Sequence, residues 1–126
     1  MMILLPNQEE HRKEIKPAFR LWLENEEGHV LGKGAHDLLV KIQETGSLSK
    51  AAKSLSMSYR YAWGIIRRAE KRIGKPLLKT FRGGKSGGGG CELTDEGYTL
   101  MRKYEMYREA ISNALKNLEK QRSQAL

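Results

Sequence analysis

Apolar residues along this chain change their spacing several times, and each change marks an element. Phe19, Leu21 and Leu23 alternate with Arg20, Trp22 and Glu24, the period of two that gives a strand one buried face. Glu26-Glu27-Gly28 supplies a turn and His29-Val30-Leu31 a returning strand, so a β-hairpin is predicted. Past Gly32 and Gly34 the spacing becomes helical: Leu38, Leu39 and Ile42, stopped by Thr45-Gly46, describe a short amphipathic helix. Ser49 then stands as the N-cap of a second helix over Lys50 to Leu55, its hydroxyl free to accept from an orphaned backbone N–H. Ser56-Met57-Ser58 breaks the chain again. Tyr59, Ala62, Ile66, Ala69 and Ile73 share one face of a third helix, capped by Ser58 and ended by Gly74 and Pro76. Leu77 to Phe81 and Cys91 to Leu93 read as a strand and its return, around a tip, Gly83 to Gly90, in which six of eight residues are glycine. Thr94-Asp95-Glu96 caps a last helix that runs to about residue 120, with its acids at the positive end.

This order predicts a mainly α fold with small β hairpins: a winged helix-turn-helix with a long C-terminal dimerisation helix. Its parts are a polar leader over 1–15, the winged helix-turn-helix with its N-terminal hairpin over 16–94, and the dimerisation helix over 95–126. Ala51 and Ala52 suit the close crossing of the two helices of the motif. Arg60, Gly64, Arg67 and Lys71 recur at four, three and four residues, opposite the Ala62/Ile66/Ala69 side. Glycine inside a helix costs roughly 1 kcal/mol relative to alanine, and a missing side chain there lets the backbone approach a groove edge or a phosphate. Arg60 lies in the first turn of the helix spanning 58–73, between Tyr59 and Tyr61, where a guanidinium can pair bidentately with guanine. Trp63, beside the core side, is read as packing.

A basic helical face on its own is more often simply a solvated one. The distribution of charge changes the picture. The chain carries a formal +8 over 126 residues. Between Ser47 and Gly90 stand eleven Lys or Arg against one acid, Glu70, so that third carries +10 and the remainder −2. Charge gathered where the fold would meet a duplex is the electrostatic footprint of a nucleic-acid binder. The expected contact residues are Ser49, Lys50, Ser58, Tyr59, Arg60, Tyr61, Gly64, Arg67, Arg68 and Lys71, with Arg82 and Lys85 in the glycine-rich wing. Successive glycines there expose backbone N–H groups to a phosphate backbone, and the tip is expected to order on DNA.

Other chemistries find little support. Gly84-Lys85-Ser86 imitates the end of a P-loop, but Lys79 stands where that motif needs glycine, and more glycines rather than a helix follow. The lone Cys91 excludes an internal disulfide and a multi-cysteine metal site. His11, His29 and His36 all precede the helix-turn-helix with no accompanying carboxylate or metal constellation. No cofactor, no metal and no catalytic residue is expected, and the chain is not read as an enzyme. No stretch reaches the roughly 20 apolar residues of a membrane span, so no membrane partner is expected and the location is read as cytoplasmic.

In the last helix Leu100, Tyr104, Tyr107, Ile111, Ala114 and Leu118 follow a heptad spacing. Its first part packs on its own domain. Its outer part leaves an apolar stripe that a second copy would cover, so Tyr104, Tyr107, Ile111, Ala114 and Leu118 are the expected homodimer interface. A twofold dimer on double-stranded DNA implies a palindromic site. The alternative is an architectural DNA-binding protein without sequence preference, which the same basic surface would suit.

The run Gly46-Ser47-Leu48-Ser49-Lys50-Ala51-Ala52, followed by Met57-Ser58-Tyr59-Arg60-Tyr61-Ala62-Trp63, resembles the helix-turn-helix of the ModE family of molybdate-responsive regulators. Arg82 to Gly89, continuing to Leu93-Thr94 and Gly97, looks like that family's wing and the start of its last helix. The likeness covers about 17–118. LysR-type regulators share the Gly-Ser-Leu-Ser-Lys-Ala-Ala pattern but neither the Tyr-Arg-x-Ala-Trp run nor the glycine wing. The resemblance implies DNA binding with repression or activation. Full-length members continue into a C-terminal molybdate-binding region, whereas this sequence ends at Leu126. Oxyanion sensing is therefore not implied, and a sensor, if one exists, is expected to be a separate effector-sensing protein or another mechanism.

Overall fold

The changes of period become eight elements in the computed structural model, which describes residues 13–82 and 90–125. Strands β1 (Leu23–Asn25) and β2 (Gly28–Leu31) form an antiparallel hairpin, and helices α1 (Lys33–Thr45), α2 (Leu48–Ser54) and α3 (Tyr59–Ile73) follow. A second antiparallel hairpin, β3 (Leu78–Phe81) with β4 (Gly90–Leu93), leads into the long helix α4 (Asp95–Ala125). This is the mainly helical winged helix-turn-helix that the sequence predicts. Most of the leader expected at 1–15, and the wing tip over 83–89 with Lys85, lie outside the described residues.

The core is small and dense. Leu31, Leu38, Leu39, Ile42, Ala51, Ala62, Ile66 and Leu77 are fully enclosed, which joins β2, the three short helices and the root of the wing. Each large aliphatic side chain buried this way stabilises the fold by about 1.5–3 kcal/mol relative to exposure. Ala51, Ala52 and Ala62 sit where α2 crosses α3, and their methyl groups set the close approach. The turn between these helices is tight: Met57 N–H donates to the Ala52 carbonyl at 2.9 Å, and Ser56 takes a left-handed φ of 57°. Helices α1 and α3 both stop at a left-handed glycine, Gly46 and Gly74, whose N–H groups return to Ile42 and Glu70.

Two local expectations are corrected. The first strand begins at Leu23 rather than near Phe19, because β2 passes into Gly32 and α1 just beyond Leu31, the partner of Leu23, and nothing remains to pair with Trp22. The alternation still sorts the side chains: Leu21 and Leu23 pack against the core while Trp22 is exposed. The cap of α2 is Ser47, not Ser49, and accepts from Lys50 N–H at 3.1 Å. Starting the helix at Leu48 buries that side chain, and Ser49 is then left exposed in the first turn.

The root of the wing fixes the last helix. Thr94 N–H donates to the Leu77 carbonyl at 2.9 Å, its hydroxyl donates to the Pro76 carbonyl at 2.7 Å, and Gly97 N–H donates to the Thr94 hydroxyl at 3.0 Å. Gly97 lies so close that a Cβ on it would stand 2.3 Å from the Leu77 carbonyl oxygen. Farther along, Met101 and Tyr104 are buried against the domain, and beyond them α4 runs clear of the core.

Candidate nucleic-acid interface

Helix α3 buries Ala62, Ile66 and Ala69 in the core and packs Trp63, Ile65 and Ile73 partly against it, which leaves the side carrying Arg60, Arg67, Arg68 and Lys71 available. Ser58 caps it, its hydroxyl accepting from Tyr61 N–H at 3.1 Å, as expected from the sequence. Tyr59, at 56% exposed, therefore leaves the apolar face on which its spacing placed it and stands outward with Arg60 and Tyr61. Arg67, Arg68 and Lys71 are exposed as well. Arg68 Nε lies 3.4 Å from the Gly64 carbonyl oxygen.

Gly64 is the informative position. A Cβ built there meets no atom within 4 Å. Nothing inside this chain excludes a side chain, so internal packing does not account for a residue that weakens the helix.

The one acid of the basic third points inward. The Glu70 carboxylate accepts from Leu77 N–H at 2.8 Å, so it ties the end of α3 to the wing root, and Arg67 is 3.9 Å from its other oxygen. Arg72 is likewise withdrawn from the basic face. Its guanidinium donates to the His29 carbonyl, and its own carbonyl accepts from Asn25 Nδ2 at 2.9 Å, so it clamps the first hairpin to α3. Trp63 is half-buried against the core, with the Arg67 guanidinium 5.6 Å from its ring centroid. Ser49 and Lys50, in the first turn of α2, and Arg82, just past β3, are exposed.

The expected dimer seam divides. Tyr104 is 2% exposed, stacks on His36 with centroids 4.7 Å apart, and donates its hydroxyl to the Leu21 carbonyl at 3.3 Å. Its spacing belongs to the stripe, but its own domain already covers it, so it leaves the proposed seam. Tyr107, Ile111, Ala114 and Leu118 remain exposed.

The buried His36 was not singled out by any local signal. Its Nε2 is 2.8 Å from Glu105 Oε2 and its Nδ1 is 3.1 Å from Asp37 Oδ1, which links α1 to α4. Partial burial pushes the Glu105 carboxyl up, but the His36 bond, aided by Arg102, outweighs it and holds that carboxyl below its ordinary range. Asp37 is lowered too: burial opposes ionisation, and Lys33 and His36 more than offset it. Burial pushes the Cys91 thiol up, which suits a packing role. Among the described residues no three His, Cys, Asp or Glu gather as a metal site, and no helix is long and apolar enough to cross a membrane.

Known proteins match the same region. The profile of the bacterial regulatory helix-turn-helix proteins of the lysR family matches residues 36–98, α1 through the start of α4. The transcriptional regulator ModE of Haemophilus influenzae is 35% identical over 82 residues, 65% of this chain and 32% of that protein. The molybdenum transport protein ModE of Azotobacter vinelandii is 32% identical over 99 residues, 79% of this chain and 36% of that protein. The DNA-binding transcriptional dual regulator ModE of Escherichia coli is 38% identical over 77 residues, 61% of this chain and 29% of that protein. The chain thus spans about a third of the length of the curated relatives it matches. It belongs to the lysR family of bacterial regulatory helix-turn-helix proteins, and its helix-turn-helix domain is similar in sequence to those of the ModE regulators.

Proposed function

We propose that this chain regulates transcription by binding a palindromic duplex operator as a homodimer, with α3 in the major groove and the wing along the backbone. The observation that carries the reading is Gly64, where a side chain would meet open space on a basic face, while the one acid between Ser47 and Gly90 in the sequence turns inward. Arg60 reads a base edge from the first turn. Tyr59, Tyr61, Arg67, Arg68 and Lys71 on α3, Ser49 and Lys50 on α2, Ser58 at the cap, and Arg82 and Lys85 in the wing hold the sugar-phosphate strands. Residues 16–94 act as the DNA-binding unit, and 95–126 as the dimerising arm through Tyr107, Ile111, Ala114 and Leu118. The protein works in the cytoplasm without a catalytic step.

Selection from a pool of random duplexes at near-physiological salt tests this. The expected result is an inverted repeat with half-sites one helical turn apart, about 34–36 Å. Arg60→Ala should then cost about 1–3 kcal/mol on that site and little on unrelated duplex. Retention without an enriched motif would replace specific regulation by an architectural role. No retention even at low salt would end the DNA-binding reading.

A further inference from the structure

Between the start of α3 and the root of the wing lies a cleft of about 280 Å³, lined at its edge by Ser49 and Tyr59 and otherwise by residues with no contact assigned above. Its floor is apolar: Leu48, Leu78 and Cys91 are all buried. Its walls are the rings of Tyr59, Trp63 and Phe81, and hydroxyls of Ser47, Ser49 and Thr80 stand around it. None of its lining side chains is a cation or a carboxylate, although the exposed Lys50, Arg60 and Arg82 adjoin lining residues in sequence and the Arg67 guanidinium lies over the Trp63 ring.

Phe81 is the unexpected member. It is 53% exposed, and its ring lies over Gly90 rather than in the core. It pairs across the wing with Gly90, and a Cβ on Gly90 would come within 2.8 Å of that ring and 3.1 Å of the Gly46 carbonyl oxygen. The glycine lets the ring lie flat on the strand. An aromatic ring facing water has no role in neutralising phosphates, and the core does not need it. What remains is an apolar group brought by the partner.

We propose that this cleft seats one deoxyribose of the bound duplex in each half-site, with the rings of Tyr59, Trp63 and Phe81 against the apolar face of the sugar. The flanking phosphates lie outside the cleft, at the surrounding hydroxyls and cations. A sugar fits the observations better than a phosphate because the lining is uncharged, and better than a free small molecule because the floor has no polar anchor. The contact fixes how deeply α3 enters the groove and so acts on register rather than on charge. This inference rests on the DNA-binding reading above.

Hydroxyl-radical cleavage of the selected duplex reads the exposure of each deoxyribose directly. The wild type should protect one sugar per half-site that Phe81→Ala leaves open, with protection elsewhere unchanged. Phe81→Ala should bind roughly fivefold more weakly, the scale of losing part of one ring's buried surface, with the same dependence on salt. Lys50→Ala, by contrast, should lower the slope of log K against log salt by about one. Phe81→Tyr should restore the protection, and Trp63→Phe should weaken it without unfolding the domain, as thermal melting will verify. An unchanged footprint and affinity in Phe81→Ala would overturn the proposal while leaving DNA binding intact, as would a loss that comes with a lowered salt slope. Failure of the wild type to bind any duplex would instead overturn the reading beneath it.

Discussion

Single glycines in this chain have opposite roles, and alanine tells them apart. At Gly64 a methyl group meets open space, so Gly64→Ala should raise the stability of the free protein by up to about 1 kcal/mol while weakening operator binding. Urea unfolding and a duplex titration on the same variant give both signs. At Gly97 a methyl group meets the Leu77 backbone, and backbone cannot rotate aside. Gly97→Ala should therefore cost about 1–3 kcal/mol or more through forced displacement of the wing root, seen as a lower melting temperature. The sequence gives both residues the same letter. Gly64 is legible by its place on a basic face, but the reason for Gly97 lies at Leu77, 20 residues earlier at the root of the wing, and leaves no local trace.

At the scale of elements, α1 and α4 are joined through His36, set between Asp37 and Glu105. Both carboxyls are held below their ordinary range, so the unfolded chain takes up protons first as pH falls. Their contribution is fully present above the unfolded values, near pH 4, and is lost as pH drops through the lower folded values. Urea midpoints measured from pH 7 to 3 should fall in the acid limb, and Glu105→Gln should flatten part of that fall. It should also cost about 1 kcal/mol at neutral pH, as loss of a partly exposed charged hydrogen bond. Helices and hairpins were legible here because period, caps and stop signals are local. Two serines flank Leu48, and only the burial of Leu48 decides which is the cap. The extent of β1 depends on where its partner ends, and the His36–Glu105 link spans 69 residues. Neither is written within a window of sequence.

For the whole molecule, heptad spacing says that a stripe will be covered but not by which chain. Tyr104 is covered from within, and Tyr107, Ile111 and Leu118 are not. Ile111→Asp or Leu118→Asp should thus yield a folded monomer with much weaker operator binding, visible by sedimentation. Tyr104→Asp should instead lower the melting temperature, because it strands a charge in the core. An unchanged dimer in both outer variants would remove that seam. The anchoring of α4 at Thr94 and Gly97 then acquires a mechanical meaning. A helix of 31 residues is a lever about 46 Å long, and a tilt of about 5° at its root sweeps the far end through about 4 Å. That is close to the 3.4 Å rise of one base pair. In the dimer proposed above, the stiffness of the joint where Gly97 touches Leu77 would thereby set whether a half-site spacing changed by a single base pair is tolerated.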